Sequence, residues 1–151
     1  MLRLSKKTLF AIEAVLDIAF NAGPEPVQSR DITSRQGIPR RYLEQVLQQL
    51  VRAGVLIGVR GPRGGYRLAR ERRRVSVGDV VRVVGGVEDA AEETPEIAGS
   101  PLGQNVVQPL WLDLQGEFLE RLDGISVEEL CDRAHRAGVD SAAAARLDYT
   151  I

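Results

Sequence analysis

"VRGPRGGYRLARERRR", residues 59–74, gathers seven arginines around a segment punctuated by Gly61, Pro62, Gly64 and Gly65. Upstream, "VLIGVR" alternates Val55, Ile57 and Val59 with smaller or polar residues, and "GYRLA" does the same with Tyr66 and Leu68. A period of two on either side of a Gly/Pro cluster predicts two short strands joined as a hairpin. A phosphate-cradling glycine loop needs a helix N-terminus directly behind it, and a strand stands there instead, so a nucleotide cradle is excluded. Two readings of the charge remain: a hairpin tip that meets an anionic partner, or a well-solvated surface turn.

The elements before the hairpin bear on that choice. "SKKTLFAIEAVLDIAFNAG" sets Leu9, Ile12, Leu16 and Ala19 at helical spacing, with Ser5 as N-cap and Gly23-Pro24 as the stop. A shorter helix is expected from Ser29 to Gly37. "GIP" then turns the chain, and Pro39 is acceptable in the first turn of the next helix because its missing N–H has no intrahelical partner there. That third helix, about 39–53, carries Leu43, Val46, Leu47 and Leu50 on one face. At 100° per residue, Arg41, Gln45, Gln48 and Arg52 fall on the opposite face.

Beyond the hairpin, "SVGD" at 76–79 has capping-box spacing and opens a short apolar helix ended by Gly85-Gly86. Residues 87–101, "VEDAAEETPEIAGSP", are acidic, without apolar periodicity, and read as a linker. From about 103 to 123 a longer helix carries Val107, Leu110, Leu114, Phe118 and Leu122, with Trp111 on its flank. Little chain is left to cover that stripe, so contact with a second copy is expected. Ser126 and Glu129 have capping-box spacing for a last helix to about Gly138.

Net charge is only −1 over 151 residues, yet residues 1–87 carry 16 Lys/Arg against 7 Asp/Glu, and residues 88–151 carry 4 against 14. Such a division is an electrostatic hint of nucleic-acid binding. Three helices followed by a hairpin form the winged helix-turn-helix, whose third helix enters the major groove while the hairpin tip reaches along the backbone. Arg40 and Arg41 open that helix, where its free N–H groups also face an anion. Gln45 and Gln48 offer donor and acceptor together, chemistry suited to an adenine edge. Arg60 and Arg63 on the wing suit phosphates or the narrow minor groove. Arg70, Arg72, Arg73 and Arg74, past the second strand, either extend that contact or only solvate the surface.

Residues 40–70, "RRYLEQVLQQLVRAGVLIGVRGPRGGYRLAR", resemble the Rrf family of bacterial winged-helix transcription regulators, which includes iron–sulfur, nitric-oxide and cysteine-metabolism repressors. "YLEQ" at 42–45 and "VRGPRGGYRLAR" at 59–70 are the most specific matches, and the order of elements agrees over about residues 2–130. The resemblance implies a homodimer on a palindromic or near-palindromic operator, with the 103–123 helix crossing its mate. By position Arg41, Tyr42, Glu44 and Gln45 match the family's DNA-reading residues, and Arg60 with Gly61 to Gly65 matches its wing. The expected DNA-binding set is Ser29, Arg40, Arg41, Tyr42, Glu44, Gln45, Gln48, Arg52, Arg60, Arg63 and Gly64. The expected dimer contacts are Val107, Leu110, Trp111, Leu114, Phe118 and Leu122.

Many relatives resembling this chain hold an iron–sulfur cluster through three cysteines between the post-wing helix and the dimer helix. Here that interval, 87–105, contains none, and the carboxylates of Glu88, Asp89, Glu92 and Glu93 are hard donors unsuited to replace thiolates. Those acids read as a flexible linker more readily than as a cation loop. The lone Cys131, one turn after Glu128, reads as a buried inert thiol, and His135 as a helix-surface residue favoured near a C-terminus.

The expectation is therefore a mainly α protein with one β-hairpin: a winged helix-turn-helix over 1–86, an acidic loop at the sensor position over 87–102, and a dimerisation helix with a C-terminal helix over 103–151. No cofactor and no membrane partner are expected, since no apolar run nears the roughly 18 residues of a membrane span. A single cysteine and no secretory leader place the chain in the bacterial cytoplasm, at the nucleoid when bound to double-stranded DNA. Regulation by a small molecule, by a protein partner or by concentration alone stays open, as does an interaction module of the same fold without operator specificity. One histidine, one cysteine and no paired carboxylates leave no constellation for an enzyme.

Overall fold

A computed structural model describes residues 4–85 and 99–141. Helices α1 (Lys6–Phe20), α2 (Ser29–Gln36) and α3 (Arg40–Arg52) precede strands β1 (Leu56–Val59) and β2 (Gly65–Leu68). A short 3-10 turn (Arg72–Arg74) leads into α4 (Val77–Val84), and a π-helical turn (Gly103–Val107) runs on into α5 (Gln108–Asp123), followed by α6 (Val127–Arg136). The mainly helical winged helix-turn-helix expected from the sequence is the observed fold.

Ser5 caps α1 by accepting the amide of Thr8 at 3.2 Å. Of the expected series Leu9, Ile12, Leu16 and Ala19, only Ala19 is buried, and Ile12 and Leu16 are half-buried against the core. Ala11, Ala14, Val15 and Ile18 are buried, while Leu9 is 48% exposed. Small residues win the inner face because α1 runs through the centre, packed against α3, α4 and α6, and helix axes approach closely only where side chains are short. The strands also present an unexpected face. Leu56 pairs with Leu68 and is buried, whereas Ile57, Gly58 and Val59 are exposed. Val55 is buried because it lies before β1, its N–H bonding to Leu50 O at 3.0 Å to fix the helix-to-strand turn.

Val27 adds a one-residue third strand beside β2 close to the hairpin turn, exchanging backbone bonds of 3.0 and 2.8 Å with Tyr66. The core joins Ile32 and Ile38 to Leu43, Val46, Leu47 and Leu50 of α3, closed from the far side by Val75, Val80, Val127 and Cys131. Ser76 and Asp79 make the full capping box of α4. At α6 the box is half made: Ser126 accepts from Glu129 N, but the Glu129 carboxylate takes Arg133 at 2.9 Å instead of returning to the backbone.

Candidate nucleic-acid interface

Helix α3 divides along its length as its spacing requires. Leu43, Val46, Leu47 and Leu50 are at most 1% exposed, while Arg41, Glu44, Gln45, Gln48 and Arg52 are all exposed. Burying four aliphatic side chains at about 1.5–3 kcal/mol each anchors the helix, so the exposed stripe is held on a rigid support. Pro39 stands one place earlier than the sequence reading set it, as the N-cap (φ −57°, ψ 130°), and Arg40 begins the helix. A proline ring at the cap leaves the first amides of α3 without a side-chain partner, which keeps that end open to an anion. The preceding Gly37 adopts φ +65°, the left-handed conformation that closes α2 and aims the chain into α3.

The expected reading residues sit together at the N-terminal half of α3. Arg40 Nε meets Glu44 Oε1 at 3.0 Å, and the Arg41 guanidinium lies 6.0 Å from the centre of the Tyr42 ring. Tyr42 is half-buried, its ring 5.8 Å from that of Phe10, so its position is tied to α1. Ser29 is half-buried at the first position of α2. Arg60 and Arg63 are exposed at the wing tip, the latter with Nη1 3.7 Å from Glu25 Oε1. Gly61 holds φ +115°, a conformation side chains resist. A methyl group on Gly64 would collide with Val59 O, and one on Gly65 with Val27 O, so the tight tip admits only glycine at both places.

Of the arginines past β2, Arg70 lies 3.7 Å from Asp79 and Arg73 2.6 Å from Glu71, so both are partly answered within the fold. Among the expected dimer contacts, Val107, Leu110 and Leu114 are exposed, and Trp111, Phe118 and Leu122 are half-buried. Leu102, Val106 and Leu112, which the stripe argument omitted, are exposed as well. Val107 belongs to the π-helical turn, so the regular helix starts later than the expected 103. Arg82 and Asp123 form a two-pronged ion pair that ties α4 to α5, and the Arg82 guanidinium holds the Asp123 carboxyl below the usual carboxylate range.

One constellation escaped the sequence reading. Asp17, its side chain fully buried, accepts from Arg35 Nε at 3.0 Å, from Arg35 Nη2 at 2.8 Å and from Gln36 Nε2 at 2.8 Å. The signal was present: a carboxylate inside the apolar run "AVLDIAF" must find donors. Those donors lie at the end of α2, so this contact sets the angle of α2 immediately before the turn into α3. Cys131 is buried, and desolvation pushes its thiol pKa up, with Arg72 opposing. His135 is exposed, its ring 4.8 Å from that of Phe20. Among the described residues no three His, Cys, Asp or Glu side chains converge as a metal site, and no helix is long and apolar enough to cross a membrane. Glu88, Asp89, Glu92 and Glu93, the considered cation loop, lie outside the described residues.

Residues 4–133 match the protein family described as Rrf2, iron-dependent transcriptional regulator. The chain is 38% identical over 129 residues to the HTH-type transcriptional regulator IscR of Aliivibrio salmonicida, covering 85% of this chain and 77% of that protein. It is 36% identical over the same length to IscR of Vibrio cholerae, covering 85% and 75%. Among solved structures, T. potens IscR superposes with a TM-score of 0.73 at 32% identity over 94% of this chain and 95% of that one. CymR of B. subtilis gives 0.68 at 25% identity over 88% and 98%. A cluster held by three thiolates does not fit this chain, whose one cysteine is buried in α6 against the core. With that departure, the match over 4–133, the shared winged fold and the exposed polar stripe of α3 place the chain in the Rrf2 family of DNA-binding transcriptional regulators.

Proposed function

We propose that this regulator is a homodimeric, sequence-specific repressor of the bacterial cytoplasm that occludes promoter DNA from polymerase. It binds a near-palindromic operator and carries no iron–sulfur cluster of the three-cysteine kind. The observation that carries the reading is the division of α3, with Arg41, Gln45, Gln48 and Arg52 exposed above a wholly buried aliphatic face. In this reading Arg40, Arg41 and the open helix end take phosphates, and Tyr42 and Glu44 flank the base-reading Gln45 and Gln48. Ser29 and Arg52 add backbone contacts, and Arg60, Arg63 and the close-approaching backbone at Gly64 track the wing side.

The dimer rests on α5. Leu110, Leu112 and Leu114 are 57%, 57% and 42% exposed, and Leu102 before them is 74% exposed. A helix apolar on several sides and packed in its own chain mainly against α4 calls for a covering partner, and a second copy supplies a matching face by two-fold symmetry. The division of charge keeps the acidic C-terminal half away from the phosphates.

An operator selected from random DNA on the purified protein, then titrated against salt, tests the reading. Binding should fall by about 0.9 log units per log unit of salt for each phosphate neutralised. Sedimentation should give a dimer that dissociates on Leu110→Asp with Leu114→Asp. Equal affinity for selected and scrambled duplexes would replace the repressor with an interaction module of the same fold.

A further inference from the structure

A cleft of about 300 Å³ opens between the end of α1 and the base of the wing. Its deep wall is apolar: Ile18 and Val27 are buried there, with Ala22 and Leu68 beside them. Three charged side chains border it, and two are already committed. Arg67 donates to Gly23 O at 3.1 Å and Pro24 O at 2.6 Å, fastening β2 to the loop after α1. Glu25 lies 3.7 Å from Arg63 of the wing tip. Arg72 is different, because among the described residues it forms no ion pair and stands beside the buried thiol of Cys131.

An apolar recess with one unspent guanidinium at its edge has a definite complement. We propose that this cleft binds a small monocarboxylate with an apolar or aromatic body, its carboxylate on Arg72 and its body against Ile18, Val27 and Leu68. The volume lies at the lower end of the range for ligand sites, which suits a molecule of roughly ten heavy atoms. A guanidinium fork prefers a planar carboxylate, and the apolar wall selects against small hydrophilic acids. A merely greasy crevice would hold the apolar body equally well with or without its acid group, whereas this site prefers the acid.

Position gives the site a consequence. Tyr66, Arg67 and Leu68 line it from β2, and Val27, which pairs with Tyr66 close to the wing turn, lines it from the other side. A ligand seated there fixes the angle at which Arg60 and Arg63 leave the core. That effect on DNA rests on the function proposed above, whereas binding of the carboxylate does not.

The test uses the full-length chain without DNA, titrated calorimetrically with phenylacetate and octanoate, and with phenylacetamide and octanamide as neutral counterparts. Both acids should bind and both amides should bind about tenfold or more weakly, the loss expected for a charge-assisted hydrogen bond. Arg72→Gln should remove the preference for the acids and Arg72→Lys should restore part of it. Ala22→Phe should fill the cleft and abolish binding of both classes. Arg72 and Ala22 are both exposed, and unchanged circular dichroism and melting will confirm that the variants fold. Absence of binding, equal binding of acid and amide, or binding indifferent to both Arg72→Gln and Ala22→Phe overturns the site. If the acids bind but leave operator affinity unchanged, the coupling to the wing falls. If the acids bind and no operator can be selected, the reading of function falls and the site stands.

Discussion

Replacing Arg35 with leucine should damage both stability and DNA binding, because Arg35 answers a carboxylate with no access to water. Asp17 is fully buried and holds three hydrogen bonds, two of them from Arg35. Removing one partner of a buried pair costs about 3–5 kcal/mol, mostly the penalty of stranding the other charge. Arg35 is one-third exposed and Gln36 still donates one bond at 2.8 Å, so the lower end, about 3 kcal/mol, is expected here. At roughly 2–4 °C per kcal/mol for a chain of this size, the melting temperature should drop by about 6–12 °C. Arg40→Leu is the control, since its pair with Glu44 is 85% and 58% exposed and such pairs contribute about 0–1 kcal/mol. Denaturant unfolding of the single variants and of Asp17→Leu with Arg35→Leu completes a cycle. The double variant should recover most of the lost stability, an apolar pair having no stranded charge. Operator affinity should not recover with it, because the clamp that orients α2 ahead of α3 is gone. A loss below about 1 kcal/mol for Arg35→Leu, or a double variant no more stable than either single one, would refute the argument.

Other variants separate reading from positioning. Gln45→Ala should relax preference at one base pair by about 1–3 kcal/mol, whereas Arg63→Ala should weaken selected and random duplexes alike and lower the salt slope by about one; competition binding at several salt concentrations distinguishes them. Gly64→Ala forces a methyl group onto Val59 O, so the wing turn should distort at a cost of about 1–3 kcal/mol, lowering operator affinity far more than the melting temperature. Asp123 is held below the ordinary carboxylate range by Arg82, so its folded pKa lies under its unfolded one. The stability it contributes is present above the unfolded value and is lost as the pH falls through the folded value. Melting curves of the wild type should therefore lose more than those of Asp123→Asn on going into that acid window, and parallel curves would dismiss the clamp between α4 and α5.

What the linear order carried was the architecture. A period-two pattern around glycines made a wing, four aliphatic positions made the inner face of α3, and their order made a winged helix-turn-helix. These are local properties, since strand and helix periodicities are written in consecutive residues and glycine conformations are properties of single positions. The same locality makes the exposed stripe of Arg41, Gln45, Gln48 and Arg52 legible in the sequence.

The tertiary structure decided what depends on distant neighbours. Whether Leu9 or Ala11 faces inward on α1 depends on how near α3 and α4 come, and close packing favoured the smaller residue. Ile57 turned outward because the pairing of Leu56 with Leu68 fixed the register of β1 against the core. Asp17 found Arg35 eighteen residues away, Arg82 found Asp123, and Arg72 came to border an apolar cleft without forming an ion pair among the described residues. Periodicity tells a side chain which way to point along its own element. Only the packing of elements tells it what is there.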